Sequence, residues 1–456
     1  MAEIKPFKGL LYNPARVGDL NKVMAPPYDV ISPKKQDELY GRHPNNIIRL
    51  ILGKTGPDDK EGSDRYSRAA DELKRWIGTG VLVKDEKPSI YYYSQSYKLK
   101  DGSVQTRKGF IALSKLQDFG KGIHPHEKTL SGPKADRLKL MQACNVNLSC
   151  IFSLYSDPSL KVNRALDDGA SKEGGPIIDV SDDDGTDNRV WRIDDPLVIR
   201  SVSESMRDKA LFIADGHHRY ETALNYRNMM REKEDSPTGH EPYNYVMMYF
   251  SNMDDEGMTI WPTHRIIHSL KGFEPSSFTK QCGEYFDTEE FPFNGSNETS
   301  ARSAFLKKLE AEGGGKTAFG LQIMDKNSYF ILTMKTRDMM DRVFGDKIPD
   351  VFKNLDVTVL HSLILSRILG ITQEAQEKQE NLIYVKSYDE ALGAMNKGGN
   401  QLVFLLNPTR IEQVKAVALA GFVMPQKSTY FYPKLLSGLV INLLSGKNSE
   451  EEPAKV

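Results

Sequence analysis

Cysteine is scarce: the chain has three in 456 residues. So few thiols exclude a small scaffold held by disulfides and point to a reducing, cytoplasmic setting. Cys144 and Cys150 do not have the spacing of a zinc knuckle, and Cys282 stands alone. All three read as buried free thiols. No apolar run approaches the roughly 20 residues that span a bilayer. The opening MAEIKPFKGLLYNP has neither the basic start nor the apolar stretch of an export signal, so the glycosylation patterns at Asn294 and Asn297 read as chance. An excess of charge of either sign is also missing. With 61 basic and 62 acidic residues the net charge is −1, which disfavours non-specific nucleic-acid binding without excluding a local groove. There is no internal repeat and no sustained heptad.

A hydrophobic share of 39% and a charged share of 27% suit a water-soluble globular protein. The length asks for two or three domains. Apolar spacing predicts a helix over 63–77, with Tyr66, Ala69, Ala70, Leu73, Trp76 and Ile77 as its buried face. Strands over 90–97 and 105–113 flank the turn Lys100-Asp101-Gly102 and form a hairpin. A helix over 133–144 starts at Pro133. Further strands fall at 150–155, 189–193, 211–214 and 245–249. The polar stretch 289–300 reads as a surface loop. A helix over 304–312, strands at 318–323 and 329–334, a helix over 357–369, strands at 382–385 and 402–406 and a helix over 411–420 continue the pattern. These elements predict an α+β, mixed α/β protein. An N-terminal α+β region (1–120), a core (121–262), a C-terminal α/β domain (263–446) and a disordered charged tail (447–456) are expected, with the second boundary near 262–275.

The segment Ala214 to Ala223 carries the most chemistry. It follows the apolar run Ala210-Leu211-Phe212-Ile213 and runs into Tyr220, Ala223, Leu224 and Tyr226 at helical spacing. Asp215, Gly216, His217, His218 and Arg219 therefore fall on a turn between a strand and a helix. Unpaired N–H groups and the helix dipole favour anions there. Asp215 is a candidate to hold Mg²⁺ or take a proton, and Arg219 to grip phosphate oxygens in a two-pronged way. The plainer alternative makes Asp215 a helix cap and Gly216 the supplier of an unusual φ. Capping uses none of His217, His218 and Arg219.

A second cluster is His124-Pro125-His126-Glu127-Lys128-Thr129, followed by Lys134 and Arg137. A carboxylate among imidazoles and cations, on a loop before a helix, suits a general base. A polar loop with Glu127 in the first helical turn is the simpler alternative. His124, His126, His217 and His218 would also allow a zinc site, but adjacent histidines rarely share one ion and good cysteine ligands are lacking. A third cluster, Met424 to Lys434, offers Lys427, Ser428 and Thr429 near prolines as an anion nest, or else an aromatic-rich loop. Arg265, after Pro262-Thr263-His264, is a candidate carboxylate partner or a surface arginine. Gly313-Gly314-Gly315-Lys316-Thr317 ends like a phosphate loop, but position 310 is Glu and no strand directly precedes it. It reads as a flexible turn.

Together ADGHHRYETA, HPHEKT, APPYDVIS, HPNNIIRL and MPQKSTYFYPKL, spread from Pro6 to about Leu444, resemble a widespread prokaryotic family labelled a domain of unknown function. The central part is also similar to the ParB/sulfiredoxin superfamily, which cradles phosphate at a helix start between a glycine and an arginine, here Gly216 to Arg219. Free serine kinases of that superfamily combine an Asp-Gly-His-His-Arg turn with an upstream catalytic glutamate, which Glu127 matches. The resemblance implies a ParB/sulfiredoxin-like core and a cytoplasmic small-molecule kinase. It would move a phosphoryl group from pyrophosphate, ATP or ADP to the hydroxyl of free L-serine, with Mg²⁺. Glu127, Asp215 and His218 would be catalytic, with Asp215 orienting Mg²⁺ or the histidines. Gly216, His217, His218, Arg219, Lys427, Ser428 and Thr429 would bind the donor. His126, Thr129, Arg137 and Arg265 would bind the acceptor. Sulfiredoxin chemistry is excluded, because His217 stands where its reactive cysteine would be. ParB-type DNA partitioning is disfavoured by the lack of a basic helix-turn-helix. A non-catalytic nucleotide- or DNA-binding regulator and a phosphohydrolase at the same residues remain as alternatives.

Overall fold

The computed structural model describes residues 2–99, 101–127, 131–425 and 427–444. Lys100 of the hairpin turn, Lys128, Thr129, Gln426 and the 447–456 tail lie outside the described residues. The protein is a mixed α/β, α+β protein that divides into two compact units. The first is Met1–Pro125, Thr129–Thr259 and Pro433–Val456; the second is His126–Lys128 and Ile260–Tyr432.

In the first unit the main sheet has nine strands among the described residues. Its order is Ile123–His124, Leu211–Asp215, Ile151–Tyr155, Tyr245–Asn252, Val104–Lys115, Ile90–Lys98, Asp187–Ile193 and Ile178–Ser181, with Ile4–Lys5 paired to Val104–Lys115. The expected hairpin forms, with Tyr91 opposite Ile111 and Tyr93 opposite Gly109. Two pairings are parallel: Leu211–Asp215 with Ile123–His124, and Tyr245–Asn252 with Ile151–Tyr155. All eight residues of Tyr245–Asn252 are buried, as befits a strand covered on both faces. Ile213, Tyr220, Ala223, Met248 and Phe250 belong to one apolar core, so strand and helix on either side of the His-His-Arg turn are clamped by packing. The helix Arg65–Gly78 starts from an Asp64 capping box and buries Ala69, Ala70, Leu73 and Trp76. Ile77, expected on that face, lies in the last turn of the helix and is 40% exposed. The helix expected from Pro133 begins two residues earlier, as Ser131–Cys144.

In the second unit six strands, again among the described residues, form an antiparallel sheet. Its order is Phe286–Pro292, Ser328–Met334, Ala318–Ile323, Asn400–Leu406, His264–His268 and Leu382–Val385. Ile266, Phe305, Leu309, Ile331, Val403 and Leu405 lie in its core. The polar stretch read as a loop over 289–300 is corrected here: it holds the end of the edge strand Phe286–Pro292 and the start of the helix Glu298–Gly313. That edge strand is exposed over Asp287, Thr288, Glu289 and Glu290, so its residues are polar without being loop. The helix expected over 357–369 is a short α-helical turn, Asp356–Val359, running into a π-helix, Leu360–Ile368. Among the described residues, no helix is long and apolar enough to cross a membrane.

Candidate functional site

The first unit builds its cluster at the end of Leu211–Asp215. Register against Ile151–Tyr155 shifts between Ile213 and Asp215, a bulge of the kind that re-aims a side chain. Gly216 follows at φ 90°, in the left-handed region, and is the N-cap of the helix His217–Arg231. A Cβ at Gly216 would stand 2.9 Å from Arg219 Nε and Nη2, so a side chain there would have to displace that guanidinium as well as take a strained φ. The N-cap position is thus held by Gly216, which brings no side-chain capping bond. Asp215 Oδ2 accepts from Arg219 Nη2 at 2.9 Å and its Oδ1 from Lys434 Nζ at 2.9 Å. The carboxylate is 19% exposed, Arg219 14% and Lys434 15%. Burial pushes the Asp215 carboxyl up, but Lys434, Arg219 and His217 together hold it well below the usual carboxylate range. Arg219 Nη1 also donates to the Cys150 carbonyl. His217 is buried and His218 half-buried on the first turn.

One carboxylate and two cations at the N-terminal end of a 15-residue helix leave a net positive charge beside helical N–H groups. The arrangement can receive an anion with several oxygens. Its fit to Mg²⁺ is poor: both Asp215 oxygens already face cations, and no group of three or more His, Cys, Asp or Glu side chains that could share a metal occurs among the described residues. The zinc reading therefore finds no site among the described residues. The geometry gives Asp215 a role that was not among those expected, orienting the Arg219 and Lys434 cations.

Arg137 sits in the same unit, 8% exposed, with Nη1 donating to the Ile51 carbonyl at 2.7 Å. Its guanidinium lies 3.9 Å from the Tyr28 ring centre. Tyr28, Arg137 and Arg219 line one cavity of about 50 Å³. Burial pushes the Tyr28 hydroxyl up while Arg137 and Arg219 act against it. Lys134 is held by Glu221 at 2.7 Å. Tyr28 is not singled out by the motifs, and Lys434 enters them only as the last residue of the third cluster. Each lies inside a quoted motif, APPYDVIS and MPQKSTYFYPKL, but nothing local marks it as a partner of residues more than 100 positions away.

The second unit brings the other motifs together. Met424 N donates to the His126 carbonyl at 2.7 Å, and Glu127 pairs with Met424 in a parallel bridge. Glu127 Oε1 accepts from Lys427 N at 3.2 Å. His126 is wholly buried, its Nε2 2.8 Å from Thr429 Oγ1 and its ring against Phe431. Lys427 takes φ 58°, and its carbonyl accepts from Arg265 Nη2 at 3.1 Å. Arg265 Nη1 is bonded to the Thr263 carbonyl. Burial brings the Arg265 guanidinium down to about 10, so it stays charged at neutral pH. Arg265 is thus a buried post under the Lys427 turn rather than the surface arginine of the simpler reading. Ser428 Oγ donates to the Pro425 carbonyl at 2.5 Å. Thr129 lies outside the described residues.

Residues 4–358 match the family model described as "Protein of unknown function (DUF1015)", and the chain belongs to that family. No curated protein matches it. Solved structures similar to it include a conserved hypothetical protein from Pyrococcus furiosus, at 14% identity and TM-score 0.31, over 71% of this chain and 92% of that one. A free serine kinase in complex with AMP matches at 14% identity and TM-score 0.29, over 68% of this chain and 83% of that one. SbnI with a C-terminal truncation, from Staphylococcus aureus, matches at 10% identity and TM-score 0.35, over 75% and 90%. Likeness at this level is no basis for carrying an activity across.

Proposed function

We propose that the protein is a small-molecule kinase that transfers a phosphoryl group from pyrophosphate, ATP or ADP to the hydroxyl of free L-serine, giving O-phosphoserine. The observation that carries the reading is the Asp215–Arg219–Lys434 cluster at a glycine-started helix end. It is a preformed cationic cradle, and phosphoryl transfer relies mainly on alignment and charge neutralisation. Gly216, His217, His218 and Arg219 take the donor phosphates, and Lys434 adds to them. Asp215 holds Arg219 and Lys434 in position. Mg²⁺ bound to the donor would add to that charge neutralisation, and no residue of the cluster is assigned to hold it. In the second unit, Glu127 takes the serine hydroxyl proton as the O–P bond forms. The bond from phosphorus to the bridging oxygen of the donor breaks, and phosphate, ADP or AMP leaves with those electrons. Lys427, Ser428 and Thr429 contribute donor contacts. His126 and Arg265 position that loop, and Arg137 and Thr129 serve the acceptor.

The test is a grid of donors and acceptors. Purified protein, Mg²⁺ and serine are incubated with pyrophosphate, ATP or ADP in turn, and O-phosphoserine is read by mass spectrometry. Product with any one donor supports the reading, and absence of product with all three removes it. Phosphate release that does not depend on serine would assign a phosphohydrolase instead.

A further inference from the structure

A cavity of about 460 Å³ opens within the second unit. Phe352, Met424 and Pro425 give it an apolar wall, and the π-helix Leu360–Ile368 runs along it. The π-helix brings His361, Ser362 and Ser366 to the cavity; local π-turns recur at ligand sites because they displace the backbone from regular packing. His361 is 7% exposed. Its Nδ1 lies 2.8 Å from Gln376 Oε1, an acceptor, so Nδ1 carries the proton and Nε2 is left as an acceptor lone pair. Burial, with Arg265 adding to it, brings the imidazole down to about 3, so the ring is neutral at any physiological pH. Neither His361 Nε2 nor the hydroxyl of Thr358, itself 6% exposed, has a hydrogen-bond partner among the described residues. Both residues line the cavity. Two buried polar atoms without partners are costly in a folded protein, and a ligand that satisfies them regains that energy.

We infer that this cavity is a binding site for an uncharged heteroaromatic ligand of nucleoside size, whose ring lies on the apolar wall and whose N–H edge donates to His361 Nε2. The volume falls in the range of small-molecule sites. The polar lining consists mostly of hydroxyl, amide and imidazole groups, which suits a ring with mixed donors and acceptors along its edge. Lys347 and Glu377 are the cation and the anion of the lining, a balance that offers nothing to a phosphate. The site is therefore distinct in chemistry from the cationic cradle of the first unit and does not rest on the kinase reading.

The experiment is calorimetric titration of the full-length protein with adenosine, guanosine, cytidine and uridine, with AMP as the charged control. No serine or phosphate donor is present, so failure here leaves the kinase test untouched. At least one nucleoside binds with a Kd below about 1 mM, and the AMP binding that depends on Thr358 is no tighter than that of adenosine. Thr358→Val, which takes away a hydroxyl that holds nothing else, weakens that binding about fivefold, and His361→Phe weakens it about tenfold or more. A thermal melt checks that each variant is folded; if His361→Phe is not, Thr358→Val decides. Absence of binding by all four nucleosides overturns the inference. So does binding unchanged by the folded variants, or AMP binding that Thr358→Val weakens and that is more than about tenfold tighter than adenosine.

Discussion

Asp215 and Glu127 are two carboxylates in opposite settings, and each predicts a different measurement. The Asp215 carboxylate is shared between Arg219 and Lys434 and is largely buried. Its folded pKa is depressed, so its stabilisation is full above the unfolded value, near pH 4, and is lost as the pH falls through the folded value. Asp215→Asn strands two cations and should cost about 2–3 kcal/mol at pH 7, somewhat less than for a fully buried pair because all three groups keep some solvent. Urea unfolding at pH 7 and at about pH 3 checks this: pH 3 lies below the unfolded value but above the folded one, so the gap between wild type and variant narrows there without closing. An equal gap at both pH values would assign the loss to packing. Glu127 is only partly buried and accepts a backbone N–H from Lys427. As a general base it should matter to turnover: Glu127→Gln lowers kcat by roughly 10²–10⁴ while donor affinity stays within about twofold. An unchanged kcat clears Glu127 of that role.

The same contrast runs through the secondary-structure elements. Where chemistry and apolar pattern share a short stretch, the sequence is readable: the buried strand before Asp215, the glycine turn and the helix from His217 all follow from local spacing. Lys434 is bonded to a residue 219 positions away, a distance over which no periodicity operates. The edge strand Phe286–Pro292 escaped because its polarity comes from exposure, and polarity alone cannot separate an edge strand from a loop. The π-helix Leu360–Ile368 read as α because nine residues are too few to tell the two periods apart. Just before it, Asp356 opens the turn Asp356–Val359, and burial pushes its carboxyl up to about 7, against a bond from Thr317 and the charge of Arg410. The folded state therefore keeps a proton that the unfolded chain releases between about pH 4 and 7, and stability falls as the pH rises through that window. Asp356→Asn, neutral and of the same shape, should raise the melting temperature by a few degrees at about pH 8 and leave it nearly unchanged at about pH 4. The same gain at both ends would show that charge is not its cause.

At the scale of the whole molecule, the three thiols the chain possesses are all free and all at least partly buried. Cys150 and Cys282 are buried and Cys144 partly so, and burial pushes each thiol up to about 12. A thiolate is the reacting species, so near pH 8 each should react on the order of 10² times more slowly than an ordinary cysteine. That figure already allows for the greater nucleophilicity of a high-pKa sulfur. Ellman's reagent added to the folded protein should therefore titrate almost nothing within minutes, and in 6 M guanidinium, roughly the strength that unfolds even very stable domains, all three thiols should appear at once. Cys150 is the informative one, because its carbonyl accepts from Arg219 at the candidate site. If a phosphate donor tightens that turn, pyrophosphate or ADP should slow the labelling of Cys150, followed by peptide mass mapping, relative to Cys282 in the second unit. Equal protection of both thiols would point to general stabilisation, and no protection would place the donor elsewhere than at Gly216–Arg219.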